Sequence, residues 1–291
     1  KGLNKKIAEE AIESGLLSRE KGLRLFGRLS RPIHKALMYT TNPYIPGISE
    51  NESGAIQFLS EIDFDPKKET GGWRKLKDLS EEERKTLASA IIQERIKGNV
   101  EEPEEIFGQI YDLENFEGKF TDARELSTAL NACGRMSKPE VGVLACAGDE
   151  GAMEDMKGIL NGYKKLLGRY INMVKENKGM VHEEDGFVWI DGIGQIHENF
   201  IGTVSSILRS SIADGKPIMG IADSQNDELK ISIRVPDKMN FDLGEALEEM
   251  GEEMGCETGG HEKAGGGYIK EEQREEFLDL FRQKLPQEKA I

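Results

Sequence analysis

The residues best suited to bind phosphate lie in three short segments of the second half of the sequence. The most distinctive segment runs from Gly259 to Gly267 and reads GGHEKAGGG. Glycines let a ligand approach the backbone and can expose successive N–H groups as an anion nest, while His261 and Lys263 offer charge-assisted donors. A flexible turn between a helix and a strand explains the composition equally well. The segment is not a P-loop, because it lacks the Gly-Lys-Ser/Thr run.

The two other segments carry arginine. Arg135 stands in the run LNACGRM, just past a predicted helix end, where a guanidinium can present its planar fork to phosphate. Ser232 and Arg234 are two residues apart on an alternating strand and therefore share one face. A hydroxyl beside a guanidinium suits a terminal phosphate. Taken alone, each segment is more simply interpreted as a helix C-terminus with an exposed arginine or as an ordinary solvent-facing strand.

A further group of basic residues lies near the N-terminus. On a helix predicted over residues 20–29 these residues would form a positive stripe, bent where Pro32 interrupts the helix. Such a stripe can contact a nucleic-acid backbone, but charged stripes are more often solvated faces. The five residues are Lys21, Arg24, Arg28, Arg31 and Lys35.

The elements that must position these residues change in type near residue 180. Helices are predicted at 7–16, 20–29, 55–62, 84–96, 122–131, 139–148 and 153–174, with a capping box at Ser80–Glu83 and one strand at 106–113. Strands are then predicted at 187–190, 217–222, 228–235 and 265–269, and helices at 199–212, 243–254 and 271–285. The fold class is therefore α/β (α+β), ending in a compact domain with a mixed sheet.

Composition excludes several classes of protein. The formal charge is −15, from 39 basic and 54 acidic residues, so the chain is not a uniformly basic nucleic-acid coat, although a local basic site is compatible with it. No apolar run reaches the roughly 18–20 residues of a membrane span, and no signal peptide is apparent, so no membrane partner is expected. Three separated cysteines favour a reducing, cytoplasmic location. The four histidines lie outside common metal-site spacings, so no metal ligand is predicted within the chain.

Together, the three phosphate-binding segments resemble motifs of the DHH phosphoesterase family, in particular the archaeal members of its RecJ-like branch of single-strand exonucleases. The run NACGRM at 131–136 resembles the family's NAAGR motif, and the run SIR at 232–234 resembles its SxR strand. The segment 259–267 resembles the GGHxxAAG signature of the DHH-associated C-terminal domain. Cys133 and Gly265 replace alanines of the family pattern, and the three motifs occur in the family's order.

The resemblance implies four regions. Residues 1–30 correspond to the tail of the DHH catalytic domain, 31–120 to a helix-rich archaeal insertion, 121–180 to bridging helices with the NACGR motif, and 181–291 to the DHH-associated substrate-binding domain. The metal-binding DHH segment would precede Lys1. The resemblance therefore implies Mn or Mg ions outside this chain, no cofactor within it, and a fragment that is inactive alone.

The activity implied by the resemblance is 5′-to-3′ hydrolysis of single-stranded DNA or RNA in DNA repair or replication. His261 would be the catalytic residue of this chain, gripping the phosphate near the cut, while Ser232 and Arg234 would read the terminal 5′ phosphate. The other phosphate-binding residues that the motifs imply are Asn131, Arg135, Gly259, Gly260, Lys263, Gly265 and Gly266.

Two other functions stay open at this point. One is a replication scaffold, in which residues 31–120 dock GINS or the replicative helicase. The other is a different user of the same C-terminal domain, such as an alanyl-tRNA synthetase tail or a phosphodiesterase acting on small nucleotides. The NACGR segment disfavours the synthetase, and the long insertion disfavours the small-nucleotide enzyme.

Overall fold

The computed structural model describes residues 2–41, 43–68, 71–100, 102–114 and 120–286. Helices and strands are mixed along the chain, which confirms the predicted α/β class. The chain divides into two compact units: the first is Lys1–Asn131 with Gly142–Met153, and the second is Ala132–Val141 with Glu154–Ile291.

The described residues form ten helices and eight strands. The helices are α1 (Leu3–Glu13), α2 (Ile33–Tyr39), α3 (Glu52–Glu61), α4 (Glu81–Lys97), α5 (Ala123–Arg135), α6 (Pro139–Cys146), α7 (Glu150–Glu176), α8 (Glu198–Ile212), α9 (Leu243–Met254) and α10 (Arg274–Lys284). The strands are β1 (Leu17–Leu23), β2 (Phe107–Leu113), β3 (Val181–Glu184), β4 (Phe187–Asp191), β5 (Ile218–Asp223), β6 (Glu228–Arg234), β7 (Glu257–His261) and β8 (Ala264–Lys270). Among the described residues, no helix combines the length and the apolar character needed to cross a membrane.

The first unit packs α2, α3 and α4 around an apolar core beside an antiparallel pair of strands. Leu37, Leu59 and Leu87 are completely buried in this core. The predicted capping box starts α4: the Ser80 hydroxyl accepts from the Glu83 N–H at 3.1 Å, and the Glu83 carboxylate accepts from the Ser80 N–H at 2.8 Å. These bonds satisfy backbone donors that a helix start otherwise leaves unpaired.

The helix predicted at residues 20–29 is wrong, and so is the positive stripe that it would carry. Residues 17–23 form β1, which pairs antiparallel with β2 from Leu17–Leu113 to Leu23–Phe107. The local spacing of basic residues suggested a helix, but pairing with a strand some 90 residues later decides the conformation. Arg28 then lies buried beyond the strand, paired with Asp112 and Asp122.

The second unit is built on a six-stranded sheet in the order β3-β4-β5-β6-β8-β7, in which β4 and β5 are parallel and the other neighbours antiparallel. One face packs against α8, where a Cβ on Gly202 would lie 2.7 Å from the Ser232 hydroxyl oxygen. The opposite face carries Ile231 and Ile233 into a core with Leu247 of α9 and Phe281 of α10. Residues that alternate along β6 therefore face different environments.

The segment around His182 forms β3, which pairs antiparallel with β4. The His182 ring stacks on the Trp189 ring with 4.1 Å between centroids. Gly186 turns the chain between the two strands at a φ of 88°, a conformation that suits glycine. Three consecutive acidic residues, Glu183, Glu184 and Asp185, precede this glycine. They interrupt the alternation of polar and apolar residues from which a strand is predicted.

Candidate phosphate-binding site

Three strands of the second unit place polar residues on one face of the sheet, here called the β6–β8–β7 face. The antiparallel registers align one residue from each strand in three cross-strand rows. Within a row, neighbouring strands lie about 4.8 Å apart. The rows are Lys230–Tyr268–Glu257, Ser232–Gly266–Gly259 and Arg234–Ala264–His261.

The glycine-rich segment 259–267 is a β-hairpin, so its interpretation as a loop with an anion nest is wrong. β7 and β8 pair with each other from Glu257–Tyr268 to His261–Ala264, and this pairing uses backbone groups that a nest would expose. Several glycines are needed for close packing. A Cβ on Gly266 would lie 2.1 Å from the Ile231 carbonyl oxygen, and one on Gly265 would lie 2.5 Å from Leu247 Cδ1.

A groove of about 380 Å³ lies over the β6 side of this face. The structure brings six of the predicted binding residues together in its lining, although they come from positions up to 131 residues apart. They are Arg135, Ser232, Arg234, Gly259, Gly265 and Gly266.

Hydrogen bonds fix the two arginines of the groove. Arg135 is the last residue of α5, and its Nη1 donates to the Asn199 carbonyl oxygen at 2.6 Å. The Asn199 amide donates in return to the Arg135 carbonyl oxygen at 3.2 Å. Arg234 Nη1 donates to the Ser232 hydroxyl at 3.2 Å and to the Ile233 carbonyl at 2.7 Å. Both guanidinium groups retain donors for a ligand, since each carries five N–H bonds.

The electrostatic environment of Arg234 is unfavourable for its own charge. Burial, and after it the charges of Arg135 and Arg209, lower the pKa of Arg234. The lining of the groove holds three cations, Arg135, Arg234 and Lys230, against the single carboxylate of Glu198. A bound anion would supply the missing negative charge, so the arrangement suits a phosphate group.

The remaining predicted residues lie elsewhere. Asn131 is exposed on α5 and belongs to the first unit. Gly260 lies on the opposite face of the hairpin, where a Cβ would meet Ala264 and Gly265 backbone. The Lys263 ammonium donates to the carbonyls of Met239 and Phe241, at 2.7 and 3.3 Å.

His261 ends β7 and is exposed. It shares the face of Arg234 but is absent from the residues that line the groove.

Two polar residues of the groove were missed by sequence reasoning. Lys230 shares the face of Ser232 and Arg234, and the alternation of β6 could have identified it. Glu198 gives no signal in the sequence, because it reaches the groove from α8, where it accepts a 2.5 Å hydrogen bond from the Ser224 hydroxyl. Among the described residues, no group of three or more His, Cys, Asp and Glu side chains is arranged to hold a metal ion.

Two family models match separate stretches of the sequence. The DHH-CID domain matches residues 25–106, and the DHHA1 domain matches residues 190–287. The chain belongs to the DHH family. This confirms the family predicted from the three motifs, and the DHHA1 match contains the strands of the β6–β8–β7 face.

Three known proteins with a similar sequence or fold are each matched over only part of their length. An uncharacterised protein of Methanocaldococcus jannaschii is 31% identical over 282 residues, which cover 95% of this chain and 57% of that protein. CDC45 from Entamoeba histolytica has a TM-score of 0.53 at 10% identity, over 92% of this chain and 58% of CDC45. RecJ from Thermus thermophilus in complex with Mg²⁺ has a TM-score of 0.41 at 15% identity, over 87% of this chain and 34% of RecJ. This DHH-family chain thus spans little more than half of the curated relative it matches, and it shares the CDC45 fold.

Proposed function

We propose that this chain is the substrate-binding part of a RecJ-like 5′-to-3′ exonuclease of DNA repair or replication. Its groove would bind the terminal phosphate of single-stranded DNA or RNA. The proposal is carried by the convergence of Arg135, Ser232 and Arg234 on one groove, where burial and neighbouring cations disfavour the charge of Arg234. A terminal phosphate carries more negative charge than an internal one and compensates these cations best.

Each group would have a distinct part in holding the substrate. The planar guanidinium of Arg234 suits two phosphate oxygens at once, and the Ser232 hydroxyl proton is available to a third. Arg135 adds a second cation from α5. His261, exposed at the end of β7, would contact the single-stranded nucleic acid beside its terminal phosphate.

The Mn or Mg ions implied by the family resemblance would activate water and steady the leaving oxygen. Among the described residues, no group of three or more His, Cys, Asp and Glu side chains could hold such an ion. The role that we propose for this chain is to hold and orient the substrate.

The test compares single-stranded oligonucleotides that differ only in a 5′ phosphate or a 5′ hydroxyl, with dissociation constants measured by fluorescence anisotropy. We expect Arg234→Ala to weaken binding of the phosphorylated probe by about 1.5–3 kcal/mol, the range for hydrogen bonds to charged groups. Binding of the hydroxyl probe should change much less, because it lacks the group that Arg234 contacts.

Arg274→Ala is the matched control, since Arg274 lies on α10 and pairs with Glu275 at 3.1 Å. It should leave both dissociation constants unchanged. Equal weakening of the two probes by Arg234→Ala would refute the terminal-phosphate pocket. Binding of a phosphorylated dinucleotide as tight as that of a long strand would instead support the small-nucleotide phosphodiesterase.

A second candidate, a replication scaffold, is favoured by the fold shared with CDC45 and by large apolar side chains exposed in residues 31–120. GINS or the replicative helicase would be the partner, and a pull-down with Trp73→Glu and Ile56→Glu variants tests the idea. Undiminished capture by the double variant would argue against this surface. The exposed side chains are Tyr39, Tyr44, Ile56, Trp73, Ile96 and Phe107.

A further inference from the structure

A second groove begins beside the phosphate groove and runs around the β7 edge of the sheet, from Gly259, Gly266 and Tyr268 to residues of α9. Its volume is about 770 Å³, and it shares Gly259 and Gly266 with the phosphate groove. Tyr268 also lines it, one row away from these glycines. A ligand that extends from the phosphate groove along these strands therefore lies over Gly259 and Gly266, beside the Tyr268 ring. The surface formed by Gly259, Gly266 and Tyr268 is called the glycine trough.

Gly259 differs from the other glycines of the hairpin because the fold does not require it. Its φ lies outside the left-handed region, and a Cβ built on it meets no atom within 4 Å. A glycine inside a strand costs stability relative to a residue with a side chain. A glycine at a position with room for a side chain leaves the backbone open to an approaching ligand.

The Tyr268 ring is held in place for stacking. Lys230 lies opposite Tyr268 in the register, and its ammonium sits 3.9 Å from the ring centroid. This cation–π contact orients the half-buried ring at the side of the trough. A base that stacks on an aromatic ring gains affinity without hydrogen bonds, so such a platform accepts any base.

The charge of the second groove distinguishes a base from a second phosphate. Glu257 lies in the row of Tyr268, and Glu248 and Glu252 of α9 line the groove beyond the β7 edge. The phosphate groove instead has two arginines and a lysine against the single carboxylate of Glu198. Carboxylates repel a phosphodiester but tolerate a neutral base. The phosphate groove thus suits the negative phosphate of a nucleotide, and the second groove suits its neutral base.

We propose that the glycine trough binds the nucleoside attached to the bound phosphate, with its base stacked on Tyr268. The inference rests on the proposed phosphate site and adds a base subsite to it. The sugar would cross Gly259 and Gly266, where a side chain would collide with it. Recognition would be independent of base identity.

The experiment uses two 5′-phosphorylated single strands that differ only in the first residue, which is either thymidine or an abasic tetrahydrofuran. We expect the wild-type chain to bind the thymidine probe about tenfold more tightly, since stacking is the interaction that the abasic probe loses. Tyr268→Leu should abolish this difference, and Tyr268→Phe should retain it.

Gly259→Val places a side chain in the trough, where the Cβ meets no atom within 4 Å, so we expect its thermal unfolding midpoint not to fall. It should nevertheless abolish the preference for thymidine. Gly168→Ala is the control, because Gly168 on α7 also has open space around its Cβ. It should leave the preference intact.

The outcomes separate the two proposals. A full thymidine preference in both Tyr268→Leu and Gly259→Val, or no preference in the wild type, would overturn the base subsite while the effect of the 5′ phosphate persists. Loss of any effect of the 5′ phosphate would overturn the phosphate site itself.

Discussion

Arg28 in the first unit is buried, Arg234 in the second is partly buried, and their surroundings have opposite charge. Arg28 is only 5% exposed and lies between Asp112 and Asp122, with Glu20 at 3.8 Å. Arg234 faces Arg135 and Arg209, and its hydrogen bonds go to a hydroxyl and a carbonyl oxygen. The first arginine is neutralised within the fold, and the second is not.

This difference separates a structural arginine from a ligand-binding one. A buried charge costs free energy unless it is paired, so a fold that leaves one uncompensated needs an external partner or bears the cost. The same distinction cannot be read from local sequence, where both residues belong to short polar runs. Two predictions test it, beginning with the larger effect, and a third concerns a buried histidine of the first unit.

Removing the compensated charge should unfold the first unit readily. Arg28→Met leaves Asp122, which is 2% exposed, without its guanidinium partner at 3.2 Å. We expect the free energy of unfolding, measured with urea, to fall by about 3–5 kcal/mol. Arg19→Ala, which breaks an exposed pair with Glu9, is the control and should cost far less stability, because water screens an exposed pair. Similar losses for the two variants would contradict the structural role of Arg28.

Removing the uncompensated charge should have little effect on stability. Arg234→Met relieves repulsion from Arg135 and Arg209 while it sacrifices two hydrogen bonds. We expect the free energy of unfolding without ligand to change by no more than about 0.5 kcal/mol, the usual range for substitutions outside a packed network. A loss as large as that of Arg28→Met would show that both arginines are structural and would remove the contrast.

The smallest effect is a dependence of stability on pH. It compares the buried His34 with the exposed His261. Burial, followed by the charge of Lys35, lowers the pKa of His34 in the folded chain. Below the ordinary histidine pKa of about 6.5, the unfolded chain therefore binds a proton that the folded chain resists, and stability falls as the pH falls.

Urea unfolding at pH 8 and pH 5.5 measures the contribution of His34. His34→Gln should lose less stability between these values than the wild-type chain, whereas the exposed His261→Gln control should follow the wild type. An identical pH dependence in His34→Gln and the wild type would disprove the contribution.

Local signals predicted much of the second unit. The predicted helix at 243–254 is α9, because Asp242 caps its first turn and Gly255 ends it in a left-handed conformation at φ 66°. The alternation of β6 also predicted that Ser232 and Arg234 share a face, and the structure agrees.

Contacts between distant residues account for what sequence reasoning missed. β1 is a strand because β2 pairs with it, and Arg135 is held by Asn199, 64 residues further along the chain. The glycine segment is a hairpin because β8 pairs with β6, and no local feature of the sequence predicts that pairing. Glu198 enters the groove only through the packing of α8 on the sheet.

The hairpin that carries the glycine trough is closed by Glu262 and Lys263 alone. Side chains of a strand alternate between faces, and the turn fixes the pairs beside it, so one residue inserted between Gly259 and Gly260 would leave His261 in register and turn Gly259 toward α9. Every amino acid of the site would still be present in the protein. The site therefore depends on the spacing of its residues as well as on their identity. In an alignment of relatives, a gap within 257–268 is as severe a change as the loss of an arginine.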